Sequence, residues 1–168
     1  MLRHLLAVLA LPFNVLVTIP ALILWCRGGF EAPSLFALTT DLGVLAIAVG
    51  LSLMVATIRL FAKAGRGTLA PWSPTGRLVV LGPYRFVRNP MISGVLFVLL
   101  GEALVFRSGA LLAWWALFFA INAVYLPLSE EPGLERRFGE DYRRYKREVP
   151  RWIPRLAPVP AQPPREPG

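Results

Sequence analysis

The sequence predicts an all-α integral membrane protein: four transmembrane helices followed by a C-terminal amphipathic cytoplasmic helix. Three observations predict this class. The composition is too apolar for an ordinary soluble domain, four long apolar runs stand out, and basic residues gather in the segments that flank alternate runs. Of 168 residues, 55% are hydrophobic and 17% charged, so the bilayer is the main solvent of the chain. One domain over residues 1–155 fits that length, its core lying between packed helices, with 156–168 as a proline-rich, disordered tail.

The apolar runs are Leu5 to Trp25, Leu42 to Phe61, Met91 to Phe106 and Ala110 to Leu128, against roughly 20 residues for a straight crossing. The first follows a charged start at Arg3 and His4, as a secretory signal does. It is too long for one and lacks a small-residue cleavage site, so it reads as retained. The third is short: it is tilted less, starts below the interface, or forms an antiparallel hairpin with the fourth through the tight turn Arg107-Ser108-Gly109.

Charge sets the expected orientation. Lys63, Arg66, Arg77, Arg85 and Arg88 lie between the second and third runs without an acid, and Arg136, Arg137, Arg143, Arg144, Lys146 and Arg147 follow the fourth. The N-terminus, the 62–90 loop and the C-terminus are therefore expected on the cytoplasmic side, with charge-poor connections outside, and the short, arginine-rich, lysine-poor chain points to a bacterial inner membrane. The formal net charge of +8 is read as attraction to anionic headgroups, and no nucleic acid is expected as a partner.

Beyond Ser129, Leu134, Phe138, Tyr142, Tyr145 and Val149 recur every three or four residues among ionic ones. This spacing predicts an interfacial amphipathic helix over about 130–149, capped by Ser129, with Glu130 and Glu131 in its positive first turn, and stopped by Pro150. There is one cysteine, Cys26, and one histidine, His4, so no disulfide, His/Cys metal cluster or Ser/His/Asp hydrolase set can be built. Gly65, Gly67 and Ala70 mimic a dinucleotide fingerprint, but they follow an apolar helix and precede Pro71, which removes the strand-to-helix context that motif needs.

The 62–90 loop, rich in glycine, proline and arginine, is the candidate ligand cradle. Asn89 is a good helix cap and Pro90 suits the first helical position, which by itself describes a well-capped span. The functional reading is that the free amides of this helix start, with Arg88 beside them, hold a carboxylate or phosphate. Glu130 and Glu131 leave the fourth run on the same membrane side, and carboxylates accept from hydroxyls or an ammonium. Tyr84 can stack on a base or face a cation. Glu102 is an acid inside the third run, where insertion costs about 2.5–3.5 kcal/mol. It is therefore protonated, paired or facing a wet cavity, in a structural hydrogen bond or a substrate role. Were the reacting group an amine or a hydroxyl, Glu131 or Glu102 would be the candidate general base.

The run Leu78-Val79-x-x-Gly82-Pro83-Tyr84-x-x-x-Arg88-Asn89-Pro90 is followed, two spans later, by Glu130-Glu131-Pro132-x-Leu134 and Phe138-Gly139-x-x-Tyr142-x-x-Tyr145-x-x-x-Val149-Pro150-Arg151. This ordered pair of motifs resembles the superfamily of isoprenylcysteine carboxyl methyltransferases and phospholipid methyltransferases. The resemblance implies a membrane enzyme with S-adenosylmethionine as methyl donor and a lipid or other lipophilic acceptor. It implies donor contacts at Leu78, Val79, Tyr84, Arg88, Asn89, Pro90, Met91 and Glu130; within that reading Arg88 and Glu131 are the candidate catalytic residues. The eukaryotic carboxyl methyltransferases have His where this chain has Asn89 and a substrate-contacting Arg where it has Leu126. Two other readings are a membrane reductase using NADPH, since sterol reductases share a similar C-terminal layout, and a four-helix scaffold without catalysis.

Overall fold

The computed structural model describes residues 12–28, 38–64, 78 and 80–160, and every described element is helical. Residues 1–11 of the first apolar run, the 29–37 connection, Val79 with 65–77 of the basic loop, and the tail from 161 lie outside the described residues. The helices are α1 (Asn14–Cys26), α2 (Leu38–Ala64), α3 (Pro90–Val105), α4 (Gly109–Tyr125) and α5 (Glu131–Glu148), with a 3-10 turn at Gly82–Arg85. Two of them contain a stretch long and apolar enough to cross a membrane: α2 over Leu38–Leu60, and the continuous helix Gly109–Glu148 that joins α4 to α5. Asn14–Cys26 and Pro90–Val105 are apolar but shorter. Leu42, Val44, Leu45, Leu117, Ile121 and Val124 stand exposed, as expected of side chains that face hydrocarbon.

The chain divides into two compact units, one of Met1–Ser52 with Ile92–Asn122, the other of Leu53–Met91 with Ala123–Gly168. In the first, α2 and α3 run antiparallel with their backbones in contact. A Cβ on Gly50 would lie 2.5 Å from the Gly94 carbonyl oxygen, and one on Gly101 would lie 2.5 Å from that of Gly43. Small residues allow this approach, which in a bilayer replaces the missing hydrophobic drive with close van der Waals contact. The expected hairpin is present: Ser108 N–H donates to Ala103 O at 3.0 Å and Arg107 N–H to Leu104 O at 3.3 Å. These close α3 in a Schellman motif, with Arg107 at φ 48 where glycine is usual. Leu24, Ala103 and Leu111 form the buried cluster beside it.

Two widened π turns, Asn14–Thr18 and Leu126–Glu130, each end two residues before a proline, Pro20 and Pro132. The cause is local. A proline ring pushes against the carbonyl four residues back, here Leu16 and Leu128, and offers no N–H in return. In a π turn the Val15 carbonyl would pair with residue 20, a proline, and it instead accepts from Trp114 Nε1 at 3.2 Å.

The second π turn corrects the expected cap. Ser129 lies inside it and makes no capping bond at the start of α5, because the helix does not stop there: Glu131 N–H reaches back to Leu126 O. The extra residue in that turn rotates the chain after it relative to an unbroken α-helix. Further on, α5 breaks at Gly139, whose φ of 54 and ψ of −128 belong to glycine. The core of this unit is Val80, Tyr142, Tyr145, Val149 and Val159, with Leu78, Leu134 and Phe138 against it. Val159 corrects the reading of a tail disordered from Leu156. It is buried, donates its N–H to Arg85 O at 3.1 Å, and accepts from Arg85 Nε at 2.6 Å.

Candidate functional site

Leu78, Tyr84, Arg88 to Met91, Glu130 and Glu131 fall within the second unit, while 65–77 of the loop and Val79 lie outside the described residues. The loop enters through Leu78 and Val80, which pack on the tyrosine cluster. Gly82, at φ 53, then starts a tight turn closed by Tyr84 N–H to Leu81 O at 3.1 Å and Phe86 N–H to Pro83 O at 3.0 Å. A positive φ of this kind is what a side chain disfavours. Val87 is buried, Arg88 N–H donates to Pro150 O at 3.0 Å, and Asn89 passes the chain to the buried Pro90 and half-buried Met91 at the start of α3.

Arg88 and Glu131 meet directly, Nη1 to Oε1 at 2.9 Å, with 10% and 3% of their side chains exposed. Arg151 Nε donates to the same oxygen at 2.7 Å, and Lys146 Nζ stands 3.4 Å from Oε2. One buried carboxylate therefore gathers a cation from the loop, one from α5 and one from the segment after it. Burial raises the Glu131 pKa, but the Arg151 hydrogen bond and the charges of Arg88, Arg151 and Lys146 outweigh it, and the net shift is downward.

Its neighbour behaves in the opposite way. Burial, and then the negative charge of Glu131, push the Glu130 carboxyl above the usual carboxylate range. Glu130 in turn lies close enough to Tyr84 to add to the upward shift that burial imposes on that phenol. Tyr142 is pushed up to about 12, chiefly by burial and by Glu131, with Arg88 opposing. Burial, then Tyr84 and Tyr142, raise Tyr145, whose hydroxyl donates to Tyr84 O at 2.9 Å. At neutral pH these phenols are neutral hydrogen-bond donors.

The fold thus brings Leu78, Tyr84, Arg88, Glu130 and Glu131 into one neighbourhood, and it changes the chemistry expected of Glu131. A carboxylate held by three cations and shifted downward is a weak proton acceptor, whereas Glu130, shifted upward, is the more basic carboxylate of the pair. Sequence reasoning left Arg151, Lys146, Tyr142 and Tyr145 without a role. Three of these stand in the second quoted motif, which was the available signal; Lys146 carried none. Glu102, the other candidate base, belongs to the first unit, where its Oε2 is buried with no hydrogen-bond partner among the described residues.

The neighbourhood fits a zwitterionic donor. Arg88 Nε is buried and has no hydrogen-bond partner among the described residues, so one cationic N–H remains to be satisfied by an anionic group. Glu130 adds an acceptor for an ammonium or a ribose hydroxyl. A family model described as phospholipid methyltransferase matches residues 38–141, more than half of the chain, spanning the loop, Arg88, Glu130 and Glu131. No curated protein and no solved structure matches the chain.

Proposed function

The chain belongs to the phospholipid methyltransferase family, and from that premise we propose that it transfers a methyl group from S-adenosylmethionine to a lipophilic acceptor at the cytoplasmic face of a membrane, such as a bacterial inner membrane. The family is one of membrane methyltransferases, which makes the protein an enzyme. The acceptor in this reading is a carboxylate, amine or thiol on a lipid-like or prenylated molecule that enters from the bilayer. Leu126, in place of the substrate-contacting arginine of the eukaryotic carboxyl methyltransferases, favours an acceptor other than a prenylcysteine carboxylate.

One observation carries the reading: Glu131 ties Arg88 of the loop to the start of α5, so Arg88, Glu130 and Tyr84 share one small region. Arg88 would hold the donor's carboxylate, with the backbone around Asn89, Pro90 and Met91 beside it, and Glu130 its ammonium or ribose hydroxyls. Leu78 would line the same cradle; Val79, the other expected contact, lies outside the described residues. When bound, S-adenosylmethionine supplies an electrophilic methyl group on a sulfonium centre. The residues of the chain contribute alignment, which can remove roughly 7–11 kcal/mol of barrier, and exclusion of water. A carboxylate or thiolate acceptor needs no base. For an amine, Glu130 is the better-suited proton acceptor, and Glu131 serves to fix Arg88 in place.

In this reading all four apolar runs cross the membrane and the loop and α5 share the cytoplasmic side. Binding is tested by thermal stability of the purified protein in detergent, since a ligand that binds only the folded state shifts unfolding. S-adenosylhomocysteine should raise the Tm and NADPH should not; the reverse would select a reductase, and no response to either a scaffold. Transfer of label from S-adenosylmethionine to a panel of lipid, prenyl and small lipophilic acceptors then identifies the substrate.

A further inference from the structure

The 155–159 segment after α5 is bound to the Gly82–Arg88 turn at two residues, Arg155 and Val159. Arg155 N–H donates to Phe86 O at 3.0 Å and Val159 N–H to Arg85 O at 3.1 Å, while Arg85 Nε returns a bond to Val159 O at 2.6 Å. Arg155 is itself anchored, through Nη1, to the Glu148 carbonyl at the end of α5. The Val159 side chain is buried among Val80, Tyr142, Tyr145 and Val149. Neighbouring Ile153 is 79% exposed and Leu156 103%, so the attachment is confined to a few points. These bonds satisfy both polar groups of Arg85 and Phe86 that face the segment, in a stretch that contributes Tyr84 before them and Arg88 after them.

We propose that residues 155–159 form a clasp that holds the Gly82–Arg88 turn in its donor-binding conformation, with Arg85 and Val159 as positioning residues. The inference rests on the reading of this loop as the site for S-adenosylmethionine. Neither residue touches the donor; they act through Tyr84 and Arg88. Without the clasp, the middle of the turn at Arg85 and Phe86 loses its outside partners, while the ties at its two ends remain: Tyr145 Oη to Tyr84 O, Arg88 to Glu131 and Arg88 N–H to Pro150 O. Its productive conformation then becomes one of several, and binding weakens by that fraction.

The test uses the full chain in detergent and two variants. Val159→Pro deletes one amide donor and keeps an apolar side chain; Arg85→Met deletes the guanidinium and leaves the buried cluster untouched. Amide exchange at Phe86, Val87 and Arg88, measured without ligand, should accelerate in both. The dissociation constant for S-adenosylhomocysteine and the KM for S-adenosylmethionine should rise about tenfold, the weight of one net hydrogen bond, with kcat unchanged. Ile153→Ala, outside the clasp and exposed, should behave as the parent. Unchanged loop exchange in folded variants overturns the clasp, and faster exchange with undiminished binding overturns its positioning role. A parent protein that binds no S-adenosylhomocysteine, with loop exchange still sensitive to the variants, sinks the methyl-donor reading and the positioning role with it, while leaving the contact itself demonstrated.

Discussion

Arg151 and Arg88 donate to the same carboxylate oxygen, Glu131 Oε1, at 2.7 Å and 2.9 Å. Residues 43 and 20 positions from Glu131 in the sequence are thereby joined at a point 3% exposed to solvent. Glu131→Ala should therefore destabilise the fold by about 3–5 kcal/mol, because Arg88 is left buried without its counter-charge. Glu131→Gln, which retains an acceptor, should cost less. Chemical denaturation in detergent measures both, and two variants within about 1 kcal/mol of the parent would show that the cage contributes little.

The same carboxylate sets a pH dependence. Glu131 binds its proton less tightly folded than unfolded, so its contribution to stability is fully present above the ordinary unfolded value of about 4.3. As pH falls past that value the unfolded chain takes up the proton first, and the contribution is lost through the lower folded pKa. Stability curves against pH should show this acid limb in the parent and a flatter one in Glu131→Gln. Parallel curves would contradict the assignment.

Glu130 should show the reverse relation between stability and function. Burial and Glu131 both disfavour its charge, so Glu130→Gln should leave the unliganded protein as stable or more stable at pH 7. Affinity for S-adenosylhomocysteine should fall about tenfold or more, the weight of a charged hydrogen bond. A calorimetric titration decides; unchanged affinity removes Glu130 from the donor site.

Gly50 is constrained by space. Its Cβ would meet the Gly94 carbonyl oxygen at 2.5 Å and Val98 N at 2.9 Å, which are backbone atoms that cannot swing aside. Gly50→Ala should cost about 1–3 kcal/mol by overpacking. At Gly133 a Cβ meets nothing within 4 Å and no positive φ is involved, so Gly133→Ala should be neutral or stabilising. Equal losses at the two sites would refute close helix packing as the cause.

Gly139 is constrained by torsion alone. Nothing lies within 4 Å of its Cβ position, yet φ is 54, and Gly139→Ala should cost about 1–3 kcal/mol in backbone strain. Proline or alanine scanning of α5 by thermal denaturation would locate the penalty there. A tolerant Gly139 would mean that α5 can straighten.

Much of the helix layout was legible in the sequence. Apolar runs and prolines bracket α2, α3 and α4 within a few residues, because burial in hydrocarbon demands unbroken apolar helix. The Arg107 turn was readable for the same reason, as the shortest polar interruption between two runs. The start of α5 was not. Ser129 has the chemistry of a cap, but Pro127 and Pro132 widen the helix around it instead of ending it, and a local rule cannot foresee a helix that continues.

By itself, the sequence determined that this is a helical membrane protein, that its polar chemistry clusters around Arg88 and Glu130–Glu131, and that the motif order is that of a methyltransferase family. Hydropathy, charge placement and short motifs are properties of neighbouring residues, so they survive without coordinates. Tertiary structure decided the rest: that Glu131 is the anchor of Arg88, Arg151 and Lys146, that Glu130 is the more basic acid of the pair, and that Val159 closes on Arg85. A carboxylate's role follows from the charges within a few ångströms of it, and those come from parts of the chain whose meeting no local pattern encodes.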